Sequence, residues 1–146
     1  MPKVHLELTL EQAAAVVQAL DLYSRLYIGQ IDEVAHLVSS GAIPPYVEHG
    51  NAPANADMQT VDAVRELMLC AKKSLGFHPN ASRGIGHAHN PIAASRSYEV
   101  KKALARALAM HRNPNPSFQS VDYDGLIVRY TSDPEPRAAV VDESLA

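Results

Sequence analysis

This chain of 146 residues has no tryptophan, only two phenylalanines and an aromatic content of 5%. That leaves few flat side chains on which the bases of a single strand could stack. Cys70 is the only cysteine, which excludes an intrachain disulfide and any cysteine-pair metal site. The sequence contains no signal-peptide pattern and no run of about 18 apolar residues, so neither secretion nor a membrane-spanning helix is expected. The motifs that announce common chemistries are also missing. There is no H-E-x-x-H, no nucleophile elbow, no phosphate loop with its Lys-Ser or Lys-Thr pair, and no third glycine after Gly84-Ile-Gly86 to complete a dinucleotide fingerprint.

What is present suits a globular protein: 47% hydrophobic and 20% charged residues. Residues 1–131 read as a single domain, and residues 132–146, polar and proline-bearing, as a mobile tail. The formal charge of −3 hides an asymmetry. Residues 65–112 carry nine Lys and Arg against Glu66 and Glu99, a net of +7, while the remainder carries −10. A basic segment of this kind implies an anionic partner, or else a solvated helix face paired with the acidic remainder.

Val4, Leu6 and Leu8 alternate with His5 and Glu7, which predicts a short strand. Thr9-Leu-Glu-Gln12 reads as a capping box opening a helix through Ala13, Val16, Val17, Leu20 and Tyr23. A second helical stretch from Ile31 to Val38 ends at Gly41. A third runs from Asp57 or Thr60 to Leu75, burying Val61, Val64, Leu67, Met68 and Ala71, with Cys70 as core filling and Gly76 as its stop. A fourth starts between Pro91 and Ser95 and reaches about Met110, with Tyr98, Leu104 and Leu108 inward and Lys101, Lys102 and Arg106 outward. Phe118 to Tyr123 and Leu126 to Thr131, split by Asp124-Gly125, predict a β-hairpin. The expected fold class is α+β: mainly helical, about four helices, with a small antiparallel sheet made by the N-terminal strand and this hairpin.

Chemistry concentrates between His78 and Arg96. Gly84 and Gly86 would let backbone amides approach a ligand, Arg83 and Arg96 would clamp a phosphate, and His87, His89 and Asn90 would read polar groups. Tyr98 offers a stacking face, and Asn90-Pro91 a helix start that favours an anion. These eight residues, Arg83, Gly84, Gly86, His87, His89, Asn90, Arg96 and Tyr98, are the candidate ligand-binding set. His87 and His89 could join His78, His111 or a carboxylate around zinc, but the spacing lacks any supporting motif, so no metal and no cofactor is expected. No catalytic residue is assigned. Duplex DNA binding would need a helix-turn-helix, which the wide interval from Gly76 to Asn90 does not provide, so nucleic acid is not the expected partner.

The set Leu8-Thr-Leu-Glu-Gln12, Leu20-Asp-Leu-Tyr-Ser-Arg25, Ile28-Gly-Gln-Ile-Asp-Glu33, Gly84-Ile-Gly86 ahead of the Tyr98 helix, Arg112-Asn-Pro114 and Val121-Asp-Tyr-Asp124 resembles a group of small hypothetical proteins of tailed bacteriophages. The resemblance spans most of residues 4–130. That group carries Gly-Ile-Gly-Asn-Pro, whereas His87-Ala-His89 separates Gly86 from Asn90 here. The resemblance implies a phage accessory protein acting in the host-cell cytoplasm, and carries over no functional residue. Together with the loop it leads to an expected function: an anti-defence protein that binds and sequesters a small phosphate-bearing, nucleotide-type immune signal without chemistry, as a homo-oligomer. The alternatives are a protein-interaction inhibitor of a host defence enzyme and a His-dependent phosphoester-cleaving enzyme.

Overall fold

The computed structural model describes residues 2–51 and 53–141. It holds four helices: α1 (Leu10–Tyr27), α2 (Glu33–Ser39), α3 (Met58–Ser74) and α4 (Ile92–Arg112). The α+β expectation is therefore corrected, because no strand and no sheet occur among the described residues. The protein is all-α. The chain divides into two compact units, one formed by residues 1–24 and 88–146 and the other by residues 25–87.

Helix boundaries follow the capping chemistry. The Thr9 amide donates to Gln12 Oε1 at 2.9 Å and the Gln12 amide to Thr9 Oγ1 at 3.2 Å, closing the reciprocal box that starts α1. Asp57 Oδ1 accepts the Thr60 amide at 2.7 Å and so caps α3. Gly41 and Gly76, at φ +77° and +83°, follow α2 and α3 in the left-handed conformation that glycine takes without a Cβ penalty.

In the unit of residues 25–87, α2 packs against α3, and the buried apolar side chains among the described residues are Ile28, Ala35, Val38 and Val61. Lys72 is buried with them and its ammonium donates to Asp32 Oδ1 at 2.9 Å. Two expectations for α3 fail here. Cys70 is exposed rather than core, and Leu67 is 64% exposed. The face of this helix that turns inward carries Val61 and Lys72, which spends a buried position on a paired ammonium.

In the other unit, the Ser24 hydroxyl donates to Leu20 O at 2.8 Å and reaches Ala94 O at 3.4 Å, while Lys101 donates to Asp21 at 2.6 Å, tying residues of α1 to α4. Among the described residues of this unit, the buried apolar side chains are alanines: Ala13, Ala94, Ala105 and Ala109. Tyr98, Leu104 and Leu108 are half-buried, as are Lys101 and Lys102, whereas Arg106 is exposed as its helical position predicts.

The chain after α4 explains why the hairpin does not form. Residues 121–124 make a turn and Gly125 adopts φ +65°, as Asp124-Gly125 suggested. The ladder does not follow, because Glu99 Oε1 takes the Tyr130 amide at 2.7 Å and the Thr131 amide at 2.8 Å, and Glu99 Oε2 takes the Thr131 hydroxyl at 2.8 Å. A buried carboxylate thus claims donors that a second strand would have used. Residues 4–8 likewise form no strand, and Val4 is 93% exposed. Of the segment read as a tail, residues 142–146 lie outside the described residues; Asp133 within it accepts two hydrogen bonds from Arg96.

Candidate functional site

The eight residues singled out by sequence fall on both sides of the boundary between the units, which lies between His87 and Ala88. Arg83, Gly84, Gly86 and His87 belong to the unit of residues 25–87. There the Arg83 amide donates to Ile28 O at 2.8 Å, and its guanidinium sits 5.2 Å from the centre of the Phe77 ring. The same ring lies where a Cβ on Gly29 would stand, so Gly29, Phe77 and Arg83 form one packed group. The His87 amide donates to Gly84 O at 3.0 Å, closing a turn. Neither Gly84 nor Gly86 has positive φ, and a Cβ on Gly84 would meet nothing within 4 Å.

His89, Asn90, Arg96 and Tyr98 belong to the other unit. Pro91 precedes the first residue of α4 with extended backbone, φ −62° and ψ 140°. Arg96 is held by Asp133 in a two-pronged pair, Nε to Oδ2 at 2.6 Å and Nη2 to Oδ1 at 3.2 Å. That pairing holds the Asp133 carboxyl below the usual carboxylate range and pushes the Arg96 guanidinium up. Tyr98 packs edge-on to Tyr130 at 5.7 Å, with Lys101 Nζ 5.8 Å from its ring centre. Burial, then charge interactions with Tyr130 and Asp124, raise its phenol. Among the described residues no cluster of three or more His, Cys, Asp or Glu side chains could hold a metal ion, and no helix is long and apolar enough to cross a membrane.

Four of the nine cations of the basic segment are paired with carboxylates within the molecule. Lys72 pairs with Asp32, Arg65 with Asp62, Arg96 with Asp133 and Lys101 with Asp21, and Lys102 donates to Val121 O at 2.7 Å. Arg106 and Arg137, like Lys73, Arg112 and Arg129, form no ion pair with a carboxylate among the described residues. Both line a groove of about 920 Å³ along the second half of α4, together with His5 and His111. Ala103, Ala107, Met110 and Leu126 give this groove an apolar floor, and Glu135 is the acidic residue on its wall. Guanidinium groups beside an apolar surface suit a ligand with a phosphate at one end and a ring at the other.

Sequence reasoning missed this groove. It read Arg106 as an ordinary outward helix charge and Arg137 as part of a tail, and no local spacing joins positions 5, 106 and 137. The excess of basic over acidic residues in 65–112 was the available signal, and Arg106 lies within it. No protein-family model, curated protein or solved structure matches the chain.

Proposed function

We propose that this protein binds a small phosphate-bearing, nucleotide-type molecule and sequesters it without chemistry, in the setting of a phage accessory protein that blunts a host immune signal. The observation that carries the reading is the α4 groove, where Arg106 and Arg137 stand without a carboxylate ion-pair partner among the described residues, beside an apolar floor. Two arginines can grip phosphate oxygens through paired N–H groups, and the alanine and methionine surface can cover a base or sugar. The phage setting rests on the sequence resemblance and adds the biological context alone.

The test is to mix the purified chain with a mononucleotide, a linear dinucleotide and a cyclic dinucleotide, remove unbound ligand, heat the protein and analyse what is released. Sequestration predicts that at least one of these is retained and comes off intact. Release of a cleaved product would instead make the protein a phosphoester-cleaving enzyme. Retention of none, with specific capture of a host defence enzyme, would make it a protein-interaction inhibitor.

A further inference from the structure

We propose that Gly125 is a positioning residue of the α4 groove: the space left by its missing side chain seats the stem of Arg106 and so presents that guanidinium to a bound phosphate. This role rests on the nucleotide-binding reading of the groove, and it makes Arg106 the phosphate anchor there.

Glu99, Lys102 and Arg106 follow one another at intervals of three and four residues, so they share one face of α4. The chain that returns after the helix is fastened along that face. Glu99 takes the Tyr130 and Thr131 amides at 2.7 and 2.8 Å, and Lys102 donates to Val121 O at 2.7 Å. The Tyr123 hydroxyl donates to Asn113 O at 3.0 Å, at the end of the same helix. Arg106 belongs to this stripe but makes a different use of it. Among the described residues no hydrogen bond or ion pair holds its guanidinium, and its contact with the returning chain is made by the apolar stem.

A Cβ at position 125 would stand 2.6 Å from Arg106 Cδ, 3.4 Å from Nε and 3.8 Å from Cγ. The stem therefore occupies the place where a side chain at 125 would begin. What an added Cβ meets is flexible side chain rather than backbone, so it would displace Arg106 and leave the helix and turn in place. Gly125 and Arg106 both line the groove. An exposed helical arginine ordinarily loses much rotamer freedom when it grips an anion, and a stem already confined by the turn loses less. Gly125 also has φ +65°, so a substitution strains the turn as well. Asparagine separates the two effects, because it tolerates positive φ better than alanine does and carries the same Cβ.

The test uses the full chain, with inorganic pyrophosphate as the probe and nuclear magnetic resonance as the readout. Without probe, the Arg106 Nε–H signal should show an ordered side chain in the natural protein and a mobile one in Gly125→Asn, the other amide signals staying in place. Gly125→Asn should weaken pyrophosphate binding about tenfold, the worth of one hydrogen bond to a charged group. Gly125→Ala, costlier for the turn, should weaken it to the same extent. In an Arg106→Gln background the asparagine substitution should change affinity by less than about twofold, because the residue it acts through is gone. An Arg106 signal equally mobile in natural and variant chains, or equal losses with and without Arg106, would overturn the proposal. If the natural chain takes up neither pyrophosphate nor any of the three nucleotides, the sequestration reading fails, and the Arg106 signal alone decides the role of Gly125.

Discussion

Glu99, 1% exposed on α4, binds Thr131 through both of its carboxylate oxygens, one to the amide and one to the hydroxyl. This contact, with the Tyr130 amide, fastens the chain after α4 to the helix and sets the wall from which Arg137 enters the basic groove. Removing the carboxylate strands buried donors, so Glu99→Ala should cost about 3 kcal/mol. Thr131→Val, which loses only the hydroxyl bond, should cost about 1 kcal/mol. Urea unfolding followed by circular dichroism measures both.

Lys72 and Asp32 form an asymmetric pair, the ammonium side 3% and the carboxylate side 49% exposed. Asp32→Ala leaves an uncompensated buried charge and should destabilise the protein by about 3 kcal/mol. Lys72→Met removes that charge and fills similar space, so it should cost less, and adding it to Asp32→Ala should recover stability. A double-mutant cycle in urea checks the order.

Gly29 has φ +94° and the Phe77 ring lies 2.5 Å from where its Cβ would stand. Gly50 has φ +92° with open space around it. Gly50→Ala should therefore cost only the backbone term, about 1 kcal/mol, whereas Gly29→Ala should cost at least about 2 kcal/mol because the ring must also move. Thermal melts of the two variants separate strain from collision.

The Lys72 ammonium, by hydrogen bond and charge, holds the Asp32 carboxyl below its ordinary range, and hydrogen bonds from Arg96 do the same for Asp133. For carboxyls lowered by folding, the stabilisation is complete above the unfolded value near pH 4 and is lost as pH falls through the lower folded values. Melting temperature should therefore decline with acidification below about pH 4 from these two groups. In Asp32→Asn/Asp133→Asn that part of the decline should be absent.

The parts of the fold legible in the sequence were those fixed by neighbours in the chain. Thr9 with Gln12, Asp57 with Thr60, and Gly41 and Gly76 each settle a helix end within a few residues. The sheet was misread because its outcome depends on Glu99, which lies 31 and 32 residues from the amides it takes. Periodicity also could not show that Lys72 would occupy an inward position of α3 while Cys70 and Leu67 stayed exposed. Burial of a charge is decided by a partner 40 residues away. For the site, Arg83 and Arg96 stood out by composition, yet each makes specific contacts within its own unit, to the Phe77 ring and to Asp133. The basic groove draws on positions 5, 106, 111 and 137, which no window of sequence contains.

Calorimetric titration of whichever nucleotide the chain retains, against the natural protein, Arg106→Gln/Arg137→Gln and Arg83→Gln/Arg96→Gln, tests the central claim most directly. A hydrogen bond to a charged group contributes about 1.5–3 kcal/mol, so loss of both groove arginines should weaken binding about 100-fold or more, with the helical signal unchanged. The Arg83 and Arg96 pair should bind within a few-fold of the natural chain. Unchanged affinity in the Arg106 and Arg137 variant, or a collapse confined to the Arg83 and Arg96 variant, would contradict the account and return the site to the loop from His78 to Arg96.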